Sequence, residues 1–155
     1  MTVADRTRPK LTALARWALF WTLFIGVGAL WGTVMMWAMA NVVGMGPLLD
    51  QMQKLPLANV FFTNFTWPGV FLLVIIGLPN LAGAALTLRC SRVAPFWTIG
   101  CGVILIGWIC FQLFIAFGPN PLSLIYLVFG LTQATLAVAW TRKASVRITS
   151  ERLNV

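Results

Sequence analysis

The sequence predicts an all-α polytopic membrane protein: a four-transmembrane-helix bundle with both termini cytoplasmic and a short interfacial amphipathic helix in the first outer loop. Of its 155 residues, 60% are hydrophobic and only 9% are charged, whereas soluble domains average roughly 25% charged residues. Four apolar runs carry no charge, and each is close to or above the roughly 20 residues that a helix needs to cross the hydrocarbon core. The length predicts a single membrane domain, residues 1–155.

The basic residues predict the orientation of the chain. Ten of the eleven lysines and arginines lie in three clusters at the ends of the apolar runs, and the eleventh is Lys54. Because basic loops stay on the cytoplasmic side, both termini and the second loop are predicted to be cytoplasmic, with anionic lipid headgroups as partners. The clusters are Arg6, Arg8, Lys10 and Arg16; Arg89 and Arg92; and Arg142, Lys143, Arg147 and Arg152.

The four apolar runs are predicted to be α-helices, because lipid offers no hydrogen-bonding partner to an open backbone. The predicted spans cover residues 17–40, 68–88, 95–117 and 122–140. The first run has an alternative interpretation as a signal peptide, since Ala38-Met39-Ala40 fits a small-residue cleavage pattern. Its apolar stretch exceeds the roughly 7–15 residues of such a signal, so we interpret it as a span. Cleavage would leave three spans and an outer N-terminus.

The two predicted outer loops differ in length. The breaker sequence Gly118-Pro119-Asn120-Pro121 predicts a tight turn, so the third and fourth spans should form an antiparallel hairpin. In the longer first loop, residues 47–55 place apolar side chains on one helical face and polar side chains on the other, which predicts a short interfacial helix. The apolar face has Leu48, Leu49, Met52 and Leu55; the polar face has Asp50, Gln51, Gln53 and Lys54.

Three neutral amides inside the predicted spans form the candidate intramembrane polar site: Asn80, Gln112 and Gln133. Asn80 follows Pro79, and a proline removes a backbone hydrogen bond and can bend the helix. The Asn80 amide can then donate a hydrogen bond to the backbone carbonyl that the proline leaves unpaired, or it can line a small cavity. Two interpretations stay open: the amides bind a ligand or a permeant species, or they form interhelical hydrogen bonds worth about 0.6–2 kcal/mol each.

Small residues predict where helices pack closely. Gly28 and Gly32 are spaced as G-x-x-x-G in the first span, and Gly130 and Ala134 have the equivalent spacing in the fourth. Such faces let two backbones approach each other. The spacing leaves open whether the contact is internal, with a second copy of the chain as a homo-oligomer, or with another membrane protein.

The residue types that the sequence and its apolar runs lack disfavour several classes of function. The chain has no histidine, and its acidic residues Asp5, Asp50 and Glu151 lie outside the apolar runs. Histidine is the commonest general base and metal ligand, and proton or cation sites in spans normally use a carboxylate. We therefore expect no enzyme activity, no cofactor and no metal site. Nucleic acid is not an expected partner either, because the basic clusters flank apolar runs and are not interleaved with exposed aromatic residues.

One segment resembles a group of known proteins. The run from Trp67 to Leu73, followed by Gly77, Asn80 and Arg89, is similar to small uncharacterised four-span bacterial membrane proteins, which share a loop ending in Pro-Gly before the second span. The resemblance implies a bacterial inner-membrane location and no particular activity.

The sequence therefore leads us to expect a non-catalytic integral membrane protein. It would act as an accessory module or bind a lipid or another hydrophobic ligand. The alternative is a small pore or facilitator whose path is lined by Asn80, Gln112 and Gln133.

Overall fold

The computed structural model describes residues 11–40, 42, 44, 46–116 and 121–153. Over these residues the chain is helical with no strand, and four helices are long and apolar enough to cross a membrane. We call them the first to fourth spans; they cover Ala13–Ala38, Thr66–Leu88, Ala94–Phe114 and Pro121–Lys143. The predicted all-α fold, with four helices long and apolar enough to span a membrane, is confirmed for these residues.

The first span begins at Ala13, before the predicted start at residue 17. Thr12 caps this end, since its Oγ1 accepts a hydrogen bond from the Ala15 amide at 3.2 Å and so satisfies a donor that a helix start leaves unpaired. The predicted start is later because Arg16 lies in this first turn and interrupts the apolar run. The long side chain of Arg16 can nevertheless reach the interface from a helix end. The helix ends at Ala38.

The second span contains a π-helical segment, Leu72–Gly77, in which backbone hydrogen bonds reach one residue further than in an α-helix. The Leu78 amide accordingly donates to the carbonyl of Leu73. Pro79 explains the segment, because it lacks an N–H and its ring crowds the preceding turn; in lipid a local π adjustment re-satisfies the backbone. The α-helical parts are Thr66–Phe71 and Leu78–Leu88.

The other two spans also differ from their predicted bounds. The third is α-helical over Ala94–Phe111 and continues as a second π-helical segment, Gln112–Ala116. The fourth helix, Pro121–Leu153, runs past the predicted end at residue 140. Apolar content stops there, but arginine, lysine and alanine are good helix formers and the helix continues. Phe117 and the turn predicted at residues 118–120 lie outside the described residues.

The first loop contains two short helices, Gly46–Met52 and Ala58–Phe61, where the sequence predicts one over residues 47–55. Pro56 explains the earlier end, because it has no N–H to donate and its ring crowds the carbonyl four residues back, which is that of Met52. The amphipathic orientation agrees with the prediction. On the apolar side Met52 is buried and Leu48, Leu49 and Leu55 are half-buried, whereas Asp50, Gln51, Gln53 and Lys54 are exposed.

The spans pack as a ring in which each contacts its two neighbours: first with second, second with third, third with fourth, and fourth with first. Buried side chains of Ile25, Ala29, Ile76, Leu105 and Ile109 form the central cluster. Large apolar side chains also cover the outside of the spans, where they are exposed in the isolated chain. An exposed apolar surface of this extent marks a site of interaction with a membrane or with another protein.

Candidate functional site

The first span packs against the second through a row of small residues. Ala18, Thr22, Gly26, Ala29 and Thr33 are all buried and lie three or four positions apart, a spacing that lets two helices approach closely. The i, i+4 spacing from Ala18 to Gly26 is the sequence signal for this face. The spacing is less conspicuous than a G-x-x-x-G motif, because alanine and threonine occupy two of its three positions.

The predicted glycine pair of the first span is only partly in this contact. A Cβ added to Gly32 would lie 2.9 Å from Leu72 Cδ2 of the second span. A Cβ added to Gly28 would meet nothing within 4 Å. Gly28 therefore makes no close helix contact among the described residues, and its contact with another molecule stays a prediction.

The third and fourth spans meet backbone to backbone. A Cβ added to Gly102 would lie 2.9 Å from the Ala134 nitrogen and 3.1 Å from its Cα. One added to Gly130 would lie 3.0 Å from Ile106 Cγ1. The predicted pair Gly130 and Ala134 thus lies at an internal contact. Gly102 could not be identified from the sequence, since spacing within one helix does not reveal which residue faces it.

Trp37 and Thr33 connect the first span to the start of the second. Trp37 Nε1 donates to the Thr66 carbonyl at 3.1 Å, and the Thr33 hydroxyl lies 3.2 Å from the Gly69 carbonyl. The indole lies so close to Gly69 that a Cβ there would overlap its nitrogen. Only glycine fits at this position while the indole keeps its place.

Trp97 of the third span contacts the second span in the same way, further along its length. Its Nε1 donates to the Pro79 carbonyl at 2.8 Å, and a Cβ at Gly83 would lie 3.0 Å from its Cδ1. The second span is therefore held by an indole from each neighbour, which fixes the position of its π-helical segment.

Asn80 and Gln133 meet across the centre of the ring. Gln133 Nε2 donates to Asn80 Oδ1 at 2.7 Å, and Asn80 Nδ2 donates to the Ile76 carbonyl at 2.9 Å. Both side chains are buried, with 1% of Asn80 and 0% of Gln133 exposed. The second and fourth spans are diagonal in the ring and have little other contact. The bond between the amides therefore joins two helices whose backbones are otherwise in little contact.

One oxygen of the pair takes no part in the bond between the two amides. Gln133 Oε1 is buried and accepts no hydrogen bond from the described residues. An unpaired buried acceptor costs about 1–3 kcal/mol, which offsets much of what a hydrogen bond between helices contributes. The pair therefore fixes the relative position of the second and fourth spans more than it adds to stability.

A cavity of about 230 Å³ lies at the first-loop end of the spans, against the helix Gly46–Met52. Both π-helical segments reach it, through Leu72 and Ile75 of one and Gln112 of the other. Its lining side chains are apolar apart from the Gln112 amide and the indole nitrogen of Trp108, and none is charged. The lining residues are Met36, Met52, Leu55, Phe62, Pro68, Phe71, Leu72, Ile75, Trp108, Phe111 and Gln112.

The structure therefore brings together two of the three predicted amides. Asn80 and Gln133 bond to each other, and neither lines the cavity that Gln112 faces. Within the described part of the chain, no three His, Cys, Asp or Glu side chains lie close enough together to hold a metal ion. Comparison of the chain with protein-family models, curated proteins and solved structures finds no match. Its function must therefore be inferred from the arrangement of its side chains.

Proposed function

We propose that this protein is a non-catalytic membrane module that binds the apolar chain of a lipid or a similar hydrophobic molecule. The observation that carries the proposal is the cavity at the first-loop end, with its apolar lining and single amide. Small-molecule sites typically combine such a lining with a few polar groups that orient the ligand. Gln112 would be that group here.

The size of the cavity fits part of one hydrocarbon chain. Apolar cavities of about 150 Å³ stay dry and bind molecules as small as benzene, and this cavity has about 230 Å³. It is partly open, so a chain can enter it. Met36 and Met52 contribute flexible thioether side chains, which adapt to ligands of differing shape.

The cavity can be tested by filling it. Ile75→Phe should reduce the amount of lipid that stays bound in detergent about tenfold, because the larger ring occupies the space that an apolar chain would take. Val74→Phe is the matched control: Val74 is the preceding residue of the same π-helical segment, is 53% exposed and does not line the cavity. Native mass spectrometry counts the bound lipid. Equal lipid loss in both variants would contradict the proposal.

We infer in addition that both termini face the cytoplasm and that the membrane is a bacterial inner membrane. The basic residues support this orientation: Arg16, Arg89, Arg92, Arg142 and Lys143 are all exposed at span ends, where anionic headgroups attract them. An accessory role beside another membrane protein is compatible with lipid binding.

The orientation predicts a labelling pattern. A membrane-impermeant maleimide applied to spheroplasts should label a cysteine introduced as Gln53→Cys, because Gln53 is exposed in the first loop. It should not label Cys90, which is exposed after the second span, until the membrane is permeabilised. Labelling of Cys90 in sealed spheroplasts would reverse the inferred orientation.

A further inference from the structure

A second space lies on the other side of Met36. It is an open groove of about 580 Å³ between the end of the first span and the start of the second, and its wall includes Trp37, Asn64 and Thr66. Met36 lines both this groove and the apolar cavity. The two spaces therefore adjoin at one flexible side chain, which can change rotamer to connect them.

The groove differs from the cavity in its chemistry. Asn64 is exposed, and its Oδ1 accepts a hydrogen bond from the Thr66 amide at 2.8 Å. This bond positions the side chain and leaves Nδ2 as the donor available to a ligand. The Thr66 hydroxyl adds a group that can both donate and accept. The groove thus offers hydrogen bonds, whereas the cavity offers almost only apolar contact.

None of the residues lining either space is charged. A phosphate or carboxylate headgroup would give up water there without meeting a cation, which is costly. A neutral head with hydroxyl or ester groups would lose less, since Asn64 and Thr66 can replace its hydrogen bonds to water.

We propose that the ligand is a neutral, single-chain amphiphile of the monoacylglycerol type, with its chain in the cavity and its hydroxyl-bearing head in the groove beside Asn64. The proposal rests on the proposed function, since it assumes that the cavity holds the chain. The volume of about 230 Å³ accommodates part of one chain, and the absence of charged lining residues favours the neutral head.

Two probes with the same eighteen-carbon chain test the headgroup: monoacylglycerol and lysophosphatidic acid, which differ only by a phosphate. The full chain in detergent should bind monoacylglycerol about tenfold more tightly, as read from native mass spectrometry titrations, because the phosphate has no cation in the groove. Equal binding of the two lipids would overturn the proposal.

Asn64→Asp tests the donor, because it keeps the oxygen that accepts from the Thr66 amide but replaces Nδ2 with a negatively charged acceptor. It should weaken monoacylglycerol binding about three- to tenfold. Thr63→Asp places the same charge on the neighbouring exposed residue, which lines neither space, and should leave binding unchanged. Equal effects of the two variants would overturn the assignment of Asn64.

The two levels of the proposal fail in different ways. If Ile75→Phe weakens binding of both lipids while Asn64→Asp has no effect, the headgroup assignment is wrong and the chain-binding cavity stands. If Ile75→Phe leaves binding of both lipids unchanged, the cavity is not the site and both proposals fail.

Discussion

Gly102→Ala is expected to lower the free energy of unfolding by about 1–3 kcal/mol, the range for overpacking a close contact. The new methyl group would lie 2.9 Å from the backbone nitrogen of Ala134 and 3.1 Å from its Cα. A side chain could rotate away, but the backbone of a packed helix cannot. The third and fourth spans must therefore separate, which loosens one of the four contacts of the ring. Unfolding by SDS titration in mixed micelles measures the loss.

Gly100→Ala is the matched control for this prediction. It makes the same change two residues away on the same helix, where a Cβ would meet nothing within 4 Å. Alanine is the better helix former by up to about 1 kcal/mol, so this variant should be neutral or slightly more stable. If both variants lost the same stability, the close approach of the third and fourth spans would be wrong.

The second large effect is expected from breaking the central amide pair. Asn80→Leu should lower the free energy of unfolding by about 1–3 kcal/mol, because it leaves Gln133 buried with no partner for either end of its amide. Gln133→Met should have a smaller effect, since it also removes the unpaired Oε1. In the double variant two apolar side chains meet, and the loss should fall below the sum of the single losses by roughly 0.6–2 kcal/mol.

The same variant separates a structural role from a pore. If Asn80 ties the second span to the fourth, Asn80→Leu in liposomes should leave ion and solute flux unchanged, even though the protein is less stable. A large change in flux, together with strictly additive stability losses, would contradict the structural role and favour the pore alternative.

The sequence predicts the number and character of the spans well, because charge-free runs and basic ends are strong signals in one dimension. It places their ends less well. The start at Ala13 depends on the cap at Thr12, and the π-helical segment depends on how the backbone adapts to Pro79. Both features depend on how the backbone folds, and the amino-acid composition does not reveal them.

The site is harder to predict than the fold. Asn80 and Gln133 are conspicuous because amides are rare in these spans, but nothing in their spacing shows that they bond to each other and not to Gln112. The spacing of Gly28 and Gly32 likewise does not show that only Gly32 meets a neighbouring span within the described residues, since a motif does not show which side of the helix meets a neighbour. The cavity cannot be predicted from the sequence, because apolar residues such as Ile75 and Trp108 occur both in cavity linings and in packed cores.

The most direct test of lipid binding is to locate a chain in the cavity. Crystals can be grown in a lipidic mesophase doped with a monoacylglycerol that is brominated in its chain. The anomalous difference map should then show a bromine peak between Ile75 and Trp108, both of which line the cavity. Ile75→Phe crystals should lack this peak. Bromine peaks confined to the outer, lipid-facing surface of the spans, with none in the cavity, would contradict the account.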